Sequence, residues 1–194
     1  PESIAKLCAQ SKVKKFIHVS AIGASKDSKS KYQQSKFLGE EKALSNFNKT
    51  VIIRPSVVIG NEDNFTNLFA KLSLSPIIPV VNVNYKFEPI FVNDVARAIL
   101  KAIETKNNEG KIYELGGGRV ISFGDMIKLI LSTIGKKRIV ADVPMTLAKI
   151  QSSLLSILPI DPIITKDQCL ILSEKDNVVS GNHLTLKDLN IKPT

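Results

Sequence analysis

The chain has no tryptophan, and only two cysteines, two histidines and two methionines in 194 residues. Cys8 and Cys169 lie far apart, match no metal-ligand spacing, and sit in apolar helix-like patterns where a small hydrophobic residue fits. A disulfide framework and a cysteine-based metal site are therefore not expected, and a reducing compartment suits the composition. His18 stands on an apolar stretch and His183 in a polar tail, so neither has a partner at the spacing of a zinc site or a catalytic triad, and both read as core or surface histidines. Long apolar runs are missing too: a membrane span needs roughly 18 or more such residues. The most apolar stretch, 68–83, is broken by Lys71, Pro76 and Pro79, and no transmembrane segment is expected. No leader peptide is expected at the start of the sequence. Pro1 comes first, and residues 2–10 read as a helix already under way, with Ile4, Leu7 and Cys8 on one face, so the chain is expected to start inside a domain. Finally, no strand is followed by G-x-G-x-x-G, the loop that lets backbone approach a pyrophosphate at a helix N-terminus.

What is present is a 43% hydrophobic chain, enough to build a core, carrying a net charge of +9. Lysine supplies most of the excess, in short clusters at Lys12, Lys14 and Lys15, at Lys26, Lys29 and Lys31, and at Lys136, Lys137 and Arg138. Such charge raises the question of a nucleic acid, an anionic lipid or a phosphorylated cofactor. The clusters are not interleaved with aromatic residues, so a solvated basic surface is the favoured reading and nucleic acid is not an expected partner.

The order of elements follows from periodicity and punctuation. After the first helix, 15–20 (KFIHVS) reads as a short buried strand, 31–47 as a helix, and 50–54 (TVIIR) as a strand stopped by Pro55. Residues 64–72 repeat apolar positions at helical spacing, and the following prolines suggest a loop. Residues 89–92 are expected to be extended, with Asp94 capping a helix over 95–104. A strand over 111–115 leads into Gly116, Gly117 and Gly118. Ser122 and Asp125 then form an S-x-x-D start for a helix to 134. A strand over 138–141 and helices over 144–158 and 166–172 complete the chain. Alternating strands and helices predict an α/β fold with a parallel sheet covered on both faces.

One motif carries chemistry. Tyr32 and Lys36 form Y-x-x-x-K at the start of a helix, and positions i and i+4 share a helical face. An ammonium beside a phenol would favour phenolate, letting Tyr32 act as acid or base with Lys36 as its partner. Tyrosine and lysine are common enough that the motif alone is weak, and its surroundings must decide. Those surroundings are FIHVS at 16–20, YQQSKFLGE at 32–40, IIRPSVVIG at 52–60, PIFVNDVARAI at 89–99 and YELGG at 113–117.

In that order these segments resemble the extended and atypical short-chain dehydrogenase/reductases, the NAD-dependent epimerase/dehydratase-like group. The resemblance implies the C-terminal half of a doubly wound, Rossmann-like parallel sheet with a small C-terminal lobe. Residues 1–60 and 92–117 would be the remainder of the NAD(P)-binding domain, 61–91 and 118–194 the lobe, and the glycine-rich βαβ half would lie outside the chain. It also implies that Tyr32, Lys36, Pro55, Ser56 and Val57 line a pocket for NADP or NAD. In an active member Tyr32, Lys36 and Ser20 would be catalytic, with Ser20 as carbonyl donor. Two departures bear on activity: the hydroxyl of active members aligns with Ala21, one residue beyond Ser20, and the interval from Ser20 to Tyr32 is short. Gly116–Gly118 has Ile121 where a phosphate loop would have its third glycine, and reads as a strand-to-helix turn.

The tail, with LPIDPII at 158–164 and DLNIKPT at 188–194, is similar to the NADPH-binding accessory subunit family of respiratory complex I and its bacterial relatives. That likeness implies a cofactor-bound, structural role with little or no turnover. It also implies partners in respiratory complex I or ubiquinone synthesis, and a cytoplasmic location with peripheral contact at the inner membrane. The alternatives are an active NAD(P)-dependent oxidoreductase or epimerase, and a basic module for nucleic acid or anionic lipid.

Overall fold

The computed structural model describes residues 1–148 and 164–194. In chain order the elements are α1 (Glu2–Gln10), β1 (Phe16–Val19), α2 (Lys31–Asn46), β2 (Thr50–Pro55), β3 (Val58–Ile59), α3 (Asn64–Leu72), β4 (Ile77–Val81), β5 (Lys86–Phe87) and β6 (Ile90–Phe91). There follow α4 (Val92–Glu104), β7 (Ile112–Leu115), β8 (Ile121–Ser122), α5 (Phe123–Thr133), β9 (Ile139–Val143), α6 (Lys166–Ile171) and a 3-10 turn (Leu186–Leu189). Of the helix expected over 144–158, residues 145–148 are helical and 149–158 lie outside the described residues, as does most of the LPIDPII segment.

The chain divides into two compact units. The first comprises Pro1–Val58, Glu88–Arg119 and Asn177–Thr194. Its sheet runs β1-β2-β7, all parallel, with Val19 opposite Ile53 and Arg54 opposite Glu114. All six positions of β2 are buried, which explains its nearly continuous apolar run; each large aliphatic side chain so buried contributes about 1.5–3 kcal/mol. Alternation assigns the faces. Val51, Ile53, Tyr113 and Leu115 join Val95, Ala98 and Ala102 of α4 and Leu186 and Leu189 of the 3-10 turn in one core. Arg54 and Glu114 therefore point to the opposite face, where α2 packs.

The expected lobe boundary shifts at its end, because residues 177–194 pack on the first unit. Leu184 bridges to Tyr113 in parallel, and its carbonyl accepts from the Glu114 amide at 2.7 Å. Asp94 also has a different role from the one its position suggested. Helix α4 begins at Val92 without a side-chain cap, and the buried Asp94 carboxylate instead accepts from the amide and hydroxyl of Thr194, at 2.8 and 2.9 Å, and from Arg97 at 2.9 Å. These bonds outweigh the burial that would raise its pKa and leave it below the usual aspartate value. Helix α1 departs from expectation as well: Ala5 is its buried residue, while Ile4 and Leu7 are exposed.

The second unit comprises Ile59–Phe87 and Val120–Asp176. Asp63 caps α3 by accepting from the Thr66 amide, and Ser122 caps α5 by accepting from the Asp125 amide. Strand β4, taken from the sequence for a proline loop, pairs in parallel with β9, Pro79 opposite Ala141. A two-stranded pair leaves an outer edge where proline's missing N–H costs no ladder bond. Phe65, Phe69, Phe87 and Phe123 pack at ring separations of 5.2 to 5.8 Å. An apolar cavity of about 260 Å³ adjoins them, and Gln168 is the single polar side chain among its described lining. It offers little for chemistry.

Candidate functional site

The residues singled out by sequence follow β1, open α2 or end β2, at the C-terminal edge of the first unit's sheet, where parallel α/β proteins bind ligands. Ser20 directly follows β1 and donates its amide to the Ile53 carbonyl at 2.7 Å. The next turn returns the Ile22 amide to the Pro55 carbonyl at 3.0 Å. Ser20 and Pro55 thus end neighbouring strands. The loop after Ser20 closes on α2, whose Ser30 cap accepts from the Gln33 amide, while the Ser28 hydroxyl donates to the Gln33 side-chain carbonyl at 2.7 Å. Tyr32 and Lys36 occupy the first turns of α2, at the same end of the sheet as Ser20.

The arrangement departs from an activated tyrosine. Burial pushes the Tyr32 phenol above its ordinary pKa, and Lys36 Nζ lies over the ring, 5.5 Å from its centroid. Burial thus favours the phenol over the phenolate. Tyr32 remains 46% exposed, so a ligand can reach it. Ser20 is buried and its Oγ has no hydrogen-bond partner among the described residues. An orphaned hydroxyl at a strand end suits a polar ligand group, since leaving it unpaired costs about 1–3 kcal/mol. Ser56 differs: its hydroxyl lies 2.6 Å from Oδ1 and 2.9 Å from the carbonyl of Asn177, which ties it to the tail. Val57 offers its carbonyl to the Ile90 amide at 3.0 Å. The hydroxyl and ammonium donors present are of the kind that a dinucleotide's ribose hydroxyls can accept from.

Beneath these residues lies a buried charge network that sequence reasoning missed. Arg54 donates through Nε and Nη2 to the two carboxylate oxygens of Glu40, at 2.8 and 2.6 Å. Its Nη1 lies 3.7 Å from Glu114 and 3.2 Å from His183 Nε2. Because a guanidinium only donates, His183 Nε2 must be the acceptor there. Glu114 also accepts from the Ser180 amide at 2.7 Å. Burial alone would lower the Arg54 pKa, but the bonds from Glu40 and the charges of Glu40 and Glu114 outweigh it and raise it. The available signal was a charge inside each of two buried strands, TVIIR and KIYEL: such a charge demands a partner. His18, on the α2 face of β1, keeps an unpartnered buried Nε2, and burial holds its pKa below the usual histidine value against the opposing pull of Glu40.

The Gly116–Gly118 turn serves packing. A Cβ on Gly117 would overlap the Pro89 carbonyl oxygen and lie 3.2 Å from its carbon and 3.5 Å from Ile90 Cα. Glu88 fastens the same turn by accepting from the amides of Gly118 and Val179, both at 3.1 Å.

Residues 23–157 match the model of the family described as the RmlD substrate binding domain. The chain belongs to that family. It is 34% identical, over 94% of its length, to NADH dehydrogenase (ubiquinone) 1 alpha subcomplex subunit 9, mitochondrial, of Dictyostelium discoideum. To the mouse protein of the same name it is 31% identical over 100% of its length. It covers 52% of each, so the chain spans about half the length of the curated relatives it matches. Among solved structures, dTDP-4-dehydrorhamnose reductase from Bacillus anthracis, in complex with NADP, superposes with a TM-score of 0.65 at 19% identity, covering 87% of this chain and 67% of that one. The reductase from Clostridium acetobutylicum gives 0.62 at 19% identity over 98% and 68%. These likenesses establish the Rossmann-type α/β fold. Among the described residues no helix is long and apolar enough to cross a membrane.

Proposed function

We propose that the chain is part of a dinucleotide-binding protein that holds NADPH as a structural cofactor with little or no turnover, in the manner of a complex I accessory subunit. The observation that carries this reading is the 31–34% identity to the subunit 9 proteins along nearly the whole chain. The site agrees with it. A phenol favoured in its neutral form and a lysine ammonium close to its ring can both donate hydrogen bonds to ribose hydroxyls. Tyr32, Lys36, Pro55, Ser56 and Val57 would border the nicotinamide end, with Tyr32 and Lys36 donating to ribose hydroxyls. The dinucleotide supplies hydride chemistry when a substrate is present. The same relatives support, as part of this proposal, a partner among respiratory-chain or ubiquinone-synthesis proteins and a peripheral place at the inner membrane. A thermal-shift titration of the full-length gene product with NADPH and NADH tests the reading. Binding to the folded state alone stabilises it by about 2.7 kcal/mol at a hundred times Kd. An upward shift with NADPH exceeding that with NADH is expected, and no shift with either nucleotide would sink the proposal.

A second reading, an NAD(P)-dependent oxidoreductase or epimerase, is favoured by one observation: the Ser20 hydroxyl at the end of β1 has no hydrogen-bond partner among the described residues. Under that reading Tyr32→Phe abolishes turnover while leaving cofactor binding intact, and unchanged activity in the variant would remove the tyrosine as the chemical group.

A further inference from the structure

Tyr32, Lys36 and Glu40 recur at intervals of four and so form one stripe along α2. The exposed end of that stripe carries the candidate site residues, and its buried end is Glu40. Glu40 meets Arg54, the residue immediately before Pro55, Ser56 and Val57. Two short bonds close the contact in a planar fork, Nε to Oε1 at 2.8 Å and Nη2 to Oε2 at 2.6 Å. A bidentate fork fixes direction as well as distance, so α2 can neither roll nor slide on β2 without losing both bonds.

The rest of the interface acts mainly at the C-terminal end of α2, where the Thr50 hydroxyl lies 2.6 and 3.2 Å from the Phe47 and Ala43 carbonyls and Phe47 is buried. The buried residues of α2 are Gln33, Glu40 and Ala43, with no large apolar side chain among them to lock into β2. Gly39 adds a flat place beside His18, since a Cβ there would lie 3.4 Å from its Nε2. Within the helix itself, Glu40 is therefore the buried side chain that reaches β2 through directional side-chain bonds. Glu114 braces the fork from the next strand, opposite Arg54 in register, and is itself held by the Ser180 amide.

We propose that Glu40 and Arg54, braced by Glu114, are positioning residues of the dinucleotide site: their fork sets the register of α2 on β2 and so places Tyr32 and Lys36 beside the strand-end residues 55–57. The inference rests on the dinucleotide-binding reading above. It differs from a merely stabilising ion pair in a measurable way. Removing one member of a buried pair strands a charge and lowers stability, whereas replacing the whole group with apolar or neutral side chains of similar size restores stability. Register is not restored by that replacement.

The experiment compares NADPH affinity and Tm in the full-length gene product for the natural sequence, Glu40→Gln, and the triple variant Glu40→Leu, Arg54→Met, Glu114→Gln. Glu40→Gln is expected to lower both Tm and affinity. The triple variant is expected to regain the natural Tm while binding NADPH about tenfold or more weakly, the order of loss that follows when one hydrogen bond from a charged group is removed. A triple variant that regains both Tm and affinity would overturn the positioning role and leave the dinucleotide reading standing. No NADPH binding by the natural protein would remove that reading and the positioning role with it. Should the triple variant not fold, Arg54→Lys keeps the charge and breaks the fork. Measured well below its own Tm, a similar loss of affinity supports the proposal and natural affinity overturns it.

Discussion

Replacing Gly117 with alanine separates a packing turn from a phosphate-binding loop. The added methyl group would be driven into backbone, the Pro89 carbonyl, which cannot rotate aside as the end of a flexible side chain could. Relief requires β7 and the 88–90 segment to part, loosening the bonds by which Glu88 holds Gly118 and Val179. Overpacking of a closely fitted interior costs about 1–3 kcal/mol, and a clash with backbone on both sides belongs at the upper end. For a domain of this size about 3 kcal/mol corresponds to a fall in Tm of roughly 6–12 °C. Gly110→Ala is the control: its φ is +74° but nothing lies near the added Cβ, so only the left-handed backbone strain of about 1 kcal/mol applies. Thermal unfolding by circular dichroism in the full-length product measures both. Far from the melt, the Gly117 variant should bind NADPH as the natural protein does. Loss of NADPH binding at unchanged Tm would refute the packing account and make the turn a nucleotide cradle.

Two further outcomes follow from buried polar groups. Lys15 donates to the carbonyls of Ala102, Ile103 and Thr105 and to Asn108 Oδ1, at 2.5 to 3.3 Å, closing the C-terminus of α4; Lys15→Met should lower stability to chemical denaturation by about 1.5–3 kcal/mol, and a change under about 0.5 kcal/mol would show the cap to be dispensable. His18 has a folded pKa depressed by burial below its unfolded value of 6.5, so its contribution is fully present above pH 6.5 and is lost as pH falls through the folded value. His18→Gln should therefore flatten the decline of Tm on the acid side of 6.5, and an unaltered slope would assign the decline to other groups.

How much of this was legible in the sequence varies with how local the cause is. The Ser122 cap was legible from its S-x-x-D pattern, and the caps at Ser30, Asp63 and Thr165, which the sequence reading did not pick out, act just as locally. The six-residue run of β2 announces a strand buried on both faces. Strand β4 was hidden because Pro76 and Pro79 usually break strands, and only a partner some 60 residues later in sequence leaves Pro79 on a free edge. Asp94 looked like a helix cap because its actual partner, Thr194, lies 100 residues away. The Tyr32–Lys36 spacing was visible, but its electrostatics were not. The sequence pairs an ammonium with a phenol, whereas the fold puts the ammonium over the ring and lets burial of the phenol dominate. The Glu40–Arg54–Glu114 network depends on three elements meeting. Sequence alone could have flagged the two strand charges as needing partners, without naming Glu40.

The most direct test of the account is to purify the full-length gene product without added nucleotide, pass it through gel filtration, and identify by mass spectrometry what denaturation releases. A structural cofactor predicts close to one NADP(H) per chain, retained through purification and not consumed on incubation with small carbonyl compounds. Nucleotide-free protein that is fully folded and unmoved by added NADPH would contradict it.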